Sequence, residues 1–234
     1  MSTNWRHAYR SFYYETMPDD LPEIVLDPAH TALLVIDLQV CYLPENPGAD
    51  LEEWNRWAPF RNRLADTVLP NTQRLLKKFR EIGREVIFAR IACLTENGRD
   101  RSLSHARPGF NNLLLPKNSA DSQILPQVAP LAEEIVITKT TDSALTGTNL
   151  RLLLTNLGIR DVVVCGIFTD QCVASTVRSL ADESFNVILV DDACAAATDE
   201  LHRHELTIIN NIYCQVLNTD EALTAISPTH DTTT

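Results

Sequence analysis

The chain has 234 residues, enough for one large α/β domain with a substantial core. Its 44% apolar and 22% charged residues are ordinary for a globular protein, while 20 Lys+Arg against 31 Asp+Glu give a net charge of −11. That acidity speaks against nucleic-acid partners and anionic membranes, no apolar stretch is long enough to span a bilayer, and no signal-peptide core opens the chain, so a cytoplasmic protein is expected.

Residues 1–29 form an aromatic-rich arm (Trp5, Tyr9, Phe12, Tyr13, Tyr14) with no clear element. Such an arm is expected to pack on its own domain or on a neighbouring subunit rather than carry chemistry. Apolar strand-like runs follow at 31–37, 85–90, 134–139, 161–166, 186–191 and, more weakly, 213–218. Helical patterns lie between them at 63–83, 148–158, 173–184 and 200–212, with Gly83 and Gly158 placed as helix terminators. This alternation predicts βαβ units. The expected fold is a single-domain, three-layer α/β/α, doubly wound, mostly parallel six-stranded sheet spanning residues 30–227.

Two connections break the rhythm. Residues 41–62 are rich in Pro, Trp and Glu, and residues 92–130 are long and polar with four prolines. Connections of that length are expected to be lids, binding loops or subunit contacts. The tail at 228–234 is expected to be disordered. Arm and loops together predict a homodimer or homotetramer.

Six cysteines (41, 93, 165, 172, 194, 214) show neither a C-x-x-C pair nor zinc-type spacing, so reduced thiols are the default. Cys172 is the exception. It follows the run DVVVCG, where a strand's carboxyl end turns into a helix, and there a helix dipole and free N–H groups favour a thiolate. Core filling is the bland alternative.

Ligands of an open parallel sheet bind at the strands' carboxyl ends. The first predicted strand ends in Asp37, the third in Lys139, and the fourth leads to Cys172. Taken singly, Asp37 as a capping residue and Lys139 as a surface residue are at least as plausible as any catalytic role. Taken together, the three compose a reaction centre. Asp37 can take the thiol proton and return it to a leaving nitrogen, Lys139 can hold the negative charge that moves between them, and backbone N–H groups at the turn can stabilise an oxyanion.

The segments TALLVIDLQ, ITKTTDSALTGTNL and CGIFTDQCVASTVRSLADESFNVILVDDA resemble those of the isochorismatase-like cysteine hydrolases, in the family's order across about residues 30–220. That superfamily includes nicotinamidases, N-carbamoylsarcosine amidases, ureidoacrylate amidases and biuret hydrolases. The resemblance implies a nucleophilic Cys172, Asp37 as general acid/base and Lys139 as electrostatic partner. It also implies a cis peptide between Ile167 and Phe168, and an oxyanion hole of the Phe168 and Cys172 N–H groups.

Departures from particular members narrow the expectation. Nicotinamidases hold a metal with an Asp and two histidines after the first strand, whereas residues 38–104 here contain no histidine. His202 and His204, two apart on a helix, face different sides and make an implausible ligand pair. No metal and no cofactor are expected. Isochorismatases proper lack the cysteine, so Cys172 favours C–N hydrolysis through a thioester. Nicotinamidases usually carry a small residue where this chain has Phe168, so its ring can reshape the pocket.

Arg90 ends the second strand, and Arg107, Phe110, Asn111 and Asn112 follow in the long loop. An arginine fork with amides suits a carboxylate or ureido group, although solvent-exposed residues without a role read equally well. Gln171, beside the nucleophile, faces either the pocket or a subunit interface. The expected function is metal-independent amidohydrolysis of a small amide, ureido or N-carbamoyl substrate. Its alternatives are hydrolysis of an isochorismate-like vinyl ether and a non-catalytic redox or partner-binding role.

Overall fold

A computed structural model describes residues 9–18, 24–108 and 112–226. Six parallel strands form one sheet: β1 (Thr31–Ile36), β2 (Val86–Ile91), β3 (Ile135–Lys139), β4 (Asp161–Ile167), β5 (Asn186–Ala195) and β6 (Gln215–Leu217), in the order β3-β2-β1-β4-β5-β6. All six are the predicted ones. β1 (TALLVI) is buried along its whole length, as the continuous apolar run of a strand covered on both faces requires.

Seven α-helices accompany the strands: α1 (Leu51–Arg56), α2 (Ala58–Arg63), α3 (Leu69–Glu81), α4 (Leu150–Asn156), α5 (Ala174–Asp182), α6 (Asp199–Ile209) and α7 (Thr219–Ala225). The sheet order reverses direction at β1, so right-handed crossovers place α3 and α5 on opposite faces. α7 packs with α3, and α6 with α5, which completes the two helical layers. The predicted helix over 63–83 is α3 extended backwards through a π turn (Leu64–Val68) into α2.

The stretch 41–62, read from sequence as a loop, contains α1 and α2 instead. Asp50 caps α1 by accepting from Glu53 N at 2.9 Å, and Pro59 sits in the first turn of α2. The Asp50–Glu53 spacing was a legible helix start, hidden by the prolines on either side. Helix α7 was also missed. Asn218 opens it with a capping box to Glu221, but its apolar face is only a few residues long.

Of the N-terminal arm, Tyr9 is fastened to the domain: its hydroxyl donates to Asp191 at 2.7 Å and its carbonyl accepts from Asn210 Nδ2 at 2.8 Å. Phe12 and Tyr13 are exposed. Trp5 and the tail at 228–234 lie outside the described residues. The six cysteines are free thiols. Among the described residues, no helix is long and apolar enough to cross a membrane.

Candidate active site

The strand order reverses between β1 and β4, the point at whose carboxyl ends an open parallel sheet binds its ligands. Asp37 is the first residue past β1 and has φ +53°, in the left-handed region that Asp tolerates better than most residues. Its backbone N–H donates to Ala89 O at 2.8 Å, so the bend is held from β2. Two residues on, buried Gln39 donates to Ile91 O and Ser122 O and accepts from Ile91 N, which stitches the exit of β1 to β2 and to the long loop.

Lys139 ends β3, so β2 lies between it and Asp37. Two strand spacings are roughly 10 Å, and only a long side chain closes that gap. The buried ammonium lies 2.8 Å from Asp37 Oδ2, donates to Cys172 Sγ at 3.2 Å and donates to Thr141 O at 3.2 Å. Three donors thus meet three partners.

Cys172 sits in a π turn (Thr169–Val173) that leads from β4 into α5. The peptide Ile167–Phe168 is cis, the bond the resemblance implied. Upstream, Gly166 has φ +123°, and a Cβ there would come within 2.0 Å of Ile36 O. Only glycine lets β4 pass β1 so closely just before the turn.

The electrostatics distinguish the three groups. Burial pushes the Asp37 carboxyl up, and the Lys139 ammonium opposes it only in part. Burial works against the Lys139 charge as well, but Asp37 and Cys172 outweigh it and hold the proton on. Burial, reinforced by the Asp37 carboxylate, drives the Cys172 thiol well above its usual value. Lys139 and Cys172 are the side chains that oppose burial at Asp37. At the thiol, burial and the neighbouring carboxylate work against the helix start, which favours the thiolate.

A second carboxylate was missed by the sequence reading. Asp142 Oδ1 accepts from Cys172 Sγ at 3.6 Å and lies 3.0 Å from Nε2 of buried His105, which comes from the long loop. The His105 contact holds the Asp142 carboxyl below the ordinary carboxylate range. Of the two carboxylates beside the sulfur, Asp37 is the stronger base. Nothing local in KTTDSA marks Asp142, because its partner is 37 residues away.

The remaining predicted residues are dispersed. Phe168 is half-buried; its ring meets Tyr42 edge-on at 5.3 Å and Phe60 at 4.9 Å, and it walls a cavity of about 560 Å³. Arg90 donates to Gln123 Oε1 at 2.8 Å and Ser122 O at 3.3 Å and is not in that wall. Arg107 and Gln171 are exposed, and Asn112 accepts from Arg101 at 2.8 Å within the long loop. Phe110 and Asn111 lie outside the described residues. His202 is buried in a cluster with Asp191, Arg63 and Thr169, away from His204. No group of three metal-type side chains occurs among the described residues.

Comparison with known proteins agrees with this architecture. The chain is 30% identical to the uncharacterized isochorismatase family protein YecD of Escherichia coli O157:H7, over 86% of this chain and 98% of that one. It is 28% identical to the ureidoacrylate amidohydrolase RutB of Agrobacterium fabrum, over 76% of this chain and 81% of RutB. Among solved structures, an isochorismatase family protein from Burkholderia thailandensis superposes with a TM-score of 0.71 at 26% identity, covering 88% of this chain and 99% of that one. The fold also matches a cysteine hydrolase from Pseudomonas syringae pv. phaseolicola, with a TM-score of 0.74 at 23% identity over 88% and 97% of the two chains. With the isochorismatase domain model matching residues 31–221, the chain belongs to the isochorismatase family of hydrolases.

Proposed function

We propose that this hydrolase cleaves the C–N bond of a small amide, ureido or N-carbamoyl compound through a thioester on Cys172. The observation that carries this reading is the single ammonium of Lys139, set against both the Asp37 carboxylate and the Cys172 sulfur.

Burial works against a thiolate at Cys172, so attack calls for a base within reach, and Asp37 beside it has a raised proton affinity. As Sγ bonds to the substrate carbonyl, its proton moves to Asp37. Negative charge leaves the carboxylate for the sulfur and then for the carbonyl oxygen, while Lys139 stays in contact with both ends of that transfer. In this reading the Phe168 and Cys172 N–H groups receive the oxyanion. Asp37 then returns the proton to the leaving nitrogen, which departs as ammonia or an amine and leaves the acyl group on sulfur. Water, deprotonated by Asp37, hydrolyses the thioester and restores the thiol. No step runs through a metal.

The similarity to ureidoacrylate amidohydrolases supports C–N rather than ether chemistry. The test is ammonia release from a panel of primary amides, ureas and N-carbamoyl acids, with Cys172→Ser as control and mass spectrometry of the acid-quenched enzyme. Turnover with an acyl adduct on Cys172 is expected. Cleavage of isochorismate-like ethers with no amide turnover, or full activity in Cys172→Ser, would overturn the reading.

A further inference from the structure

Beside the reaction centre lies the cavity of about 560 Å³, within the range of small-molecule sites, open to solvent and lined by Phe168 and the α1–α2 hairpin. Its wall is aromatic and sulfur-bearing: Cys41, Tyr42, Trp54, Trp57, Phe60 and Phe168. Trp57 stands 5.6 Å from Phe60 and 5.9 Å from Phe168, so the rings form a continuous surface.

The cavity adjoins the chemistry. Phe168 belongs to both, its ring in the wall and its peptide at the turn before Cys172. Burial pushes the Tyr42 hydroxyl and the Cys41 thiol up, the latter to about 12, and the Asp37 carboxylate adds to both shifts. Both groups are thereby kept in their neutral forms beside Asp37.

Charged residues at the mouth are already engaged. Glu53 accepts from Trp57 Nε1 at 2.7 Å and from Arg56 at 3.1 Å. Asp50 caps α1. The Arg61 guanidinium lies 3.5 Å from the Trp54 ring centroid and donates to Trp54 O at 2.7 Å. Each of these contacts ties a charged side chain of the lining into the hairpin.

We infer that this cavity is the acyl-side specificity pocket, and that the substrate class is an uncharged primary carboxamide whose acyl group is a bulky alkyl or aryl chain. This inference rests on the reading of Cys172 as the amidase nucleophile. The acyl side is indicated because a primary carboxamide carries no substituent on its leaving nitrogen, which leaves the acyl chain to fill a cavity walled by Phe168. A ureido compound of a few heavy atoms would leave most of this volume unfilled and its ring surfaces uncovered.

The experiment uses a homologous series from acetamide to hexanamide, with phenylacetamide. Binding is read by calorimetry on Cys172→Ala, and kcat/KM by ammonia release from the wild type. Affinity and kcat/KM should each rise up to about fourfold per methylene until the cavity is filled. Ala49→Trp, at an exposed position of the mouth, should flatten both slopes. Equal binding and equal kcat/KM along the series, or slopes unaffected by Ala49→Trp, would overturn the pocket assignment and leave the amidase reading standing. A binding slope with no ammonia from any member would overturn the carboxamide assignment, and silence of ureas and N-carbamoyl acids as well would sink the amidase reading.

Discussion

Two carboxylates flank the nucleophile turn, and they are treated in opposite ways. Asp37 is fully buried and faces one cation, Lys139, at 2.8 Å. Asp191, on β5, accepts from Tyr9 at 2.7 Å, pairs with His202 at 2.7 Å and takes a contact from Arg63 at 3.4 Å. Burial raises Asp37 against its partner, whereas His202, Tyr9 and Arg63 overcome burial and hold Asp191 below the ordinary range. Asp191 thereby joins the N-terminal arm, α2, β5 and α6, and through His202 it reaches Thr169 at the start of the nucleophile turn. Asp191 fastens several segments together, whereas Asp37, with one cation, is the proposed base.

Substitutions can break this contrast from either side. The largest effect belongs to the nucleophile itself: Cys172→Ala should lower amide turnover by about 10⁴-fold or more without disturbing the far-ultraviolet circular dichroism. Asp37→Asn should cost roughly 10³- to 10⁴-fold in kcat, because no equivalent base remains beside the thiol. Asn keeps the tolerance for positive φ, so the backbone is spared, but Lys139 is left a lone buried charge and chemical denaturation should show a loss of about 3–5 kcal/mol.

Acidification should separate the two carboxylates without any mutation. Asp37 must be deprotonated to act, and its raised proton affinity places the acid limb of kcat/KM above the usual carboxylate range. For Asp191 the sign is reversed. Its depressed folded value contributes stability that is present above the unfolded value of about 3.9 and is lost only as pH falls through the lower folded value. Activity should therefore vanish at mildly acidic pH while the melting temperature is still close to its neutral value. Coincident loss of both would erase the distinction.

Asp191→Asn should destabilise by about 1–3 kcal/mol and change kcat less than about tenfold, the mirror image of Asp37→Asn. The smallest effect is expected at Asp142, whose carboxylate adds to the upward shift of the thiol. Asp142→Asn should lower the Cys172 value and speed alkylation by iodoacetamide at neutral pH on the order of severalfold.

Much of this was legible in the chain. The runs TALLVI and DVVVCG could only be strands buried on both faces, because consecutive β-branched and aliphatic residues leave no polar face to solvate. A parallel sheet then obliged Asp37, Lys139 and Cys172 to stand at one edge, and this is why three residues 102 and 33 positions apart could be read as one centre. Less local features were not legible. The pairing of Asp142 with His105 depends on how a long loop folds back, and the hairpin at 51–63 was masked by its prolines and tryptophans.

By itself, then, the sequence determined the six strands and the gathering of Asp37, Lys139 and Cys172 at one sheet edge, since short-range apolar patterning and crossover handedness suffice for these. Only the tertiary structure decided their burial and contacts, the second carboxylate and the aromatic cavity beside Phe168. Those depend on burial and on contacts between segments far apart in the chain, where the loss of water and the approach of one charge to another set the energies.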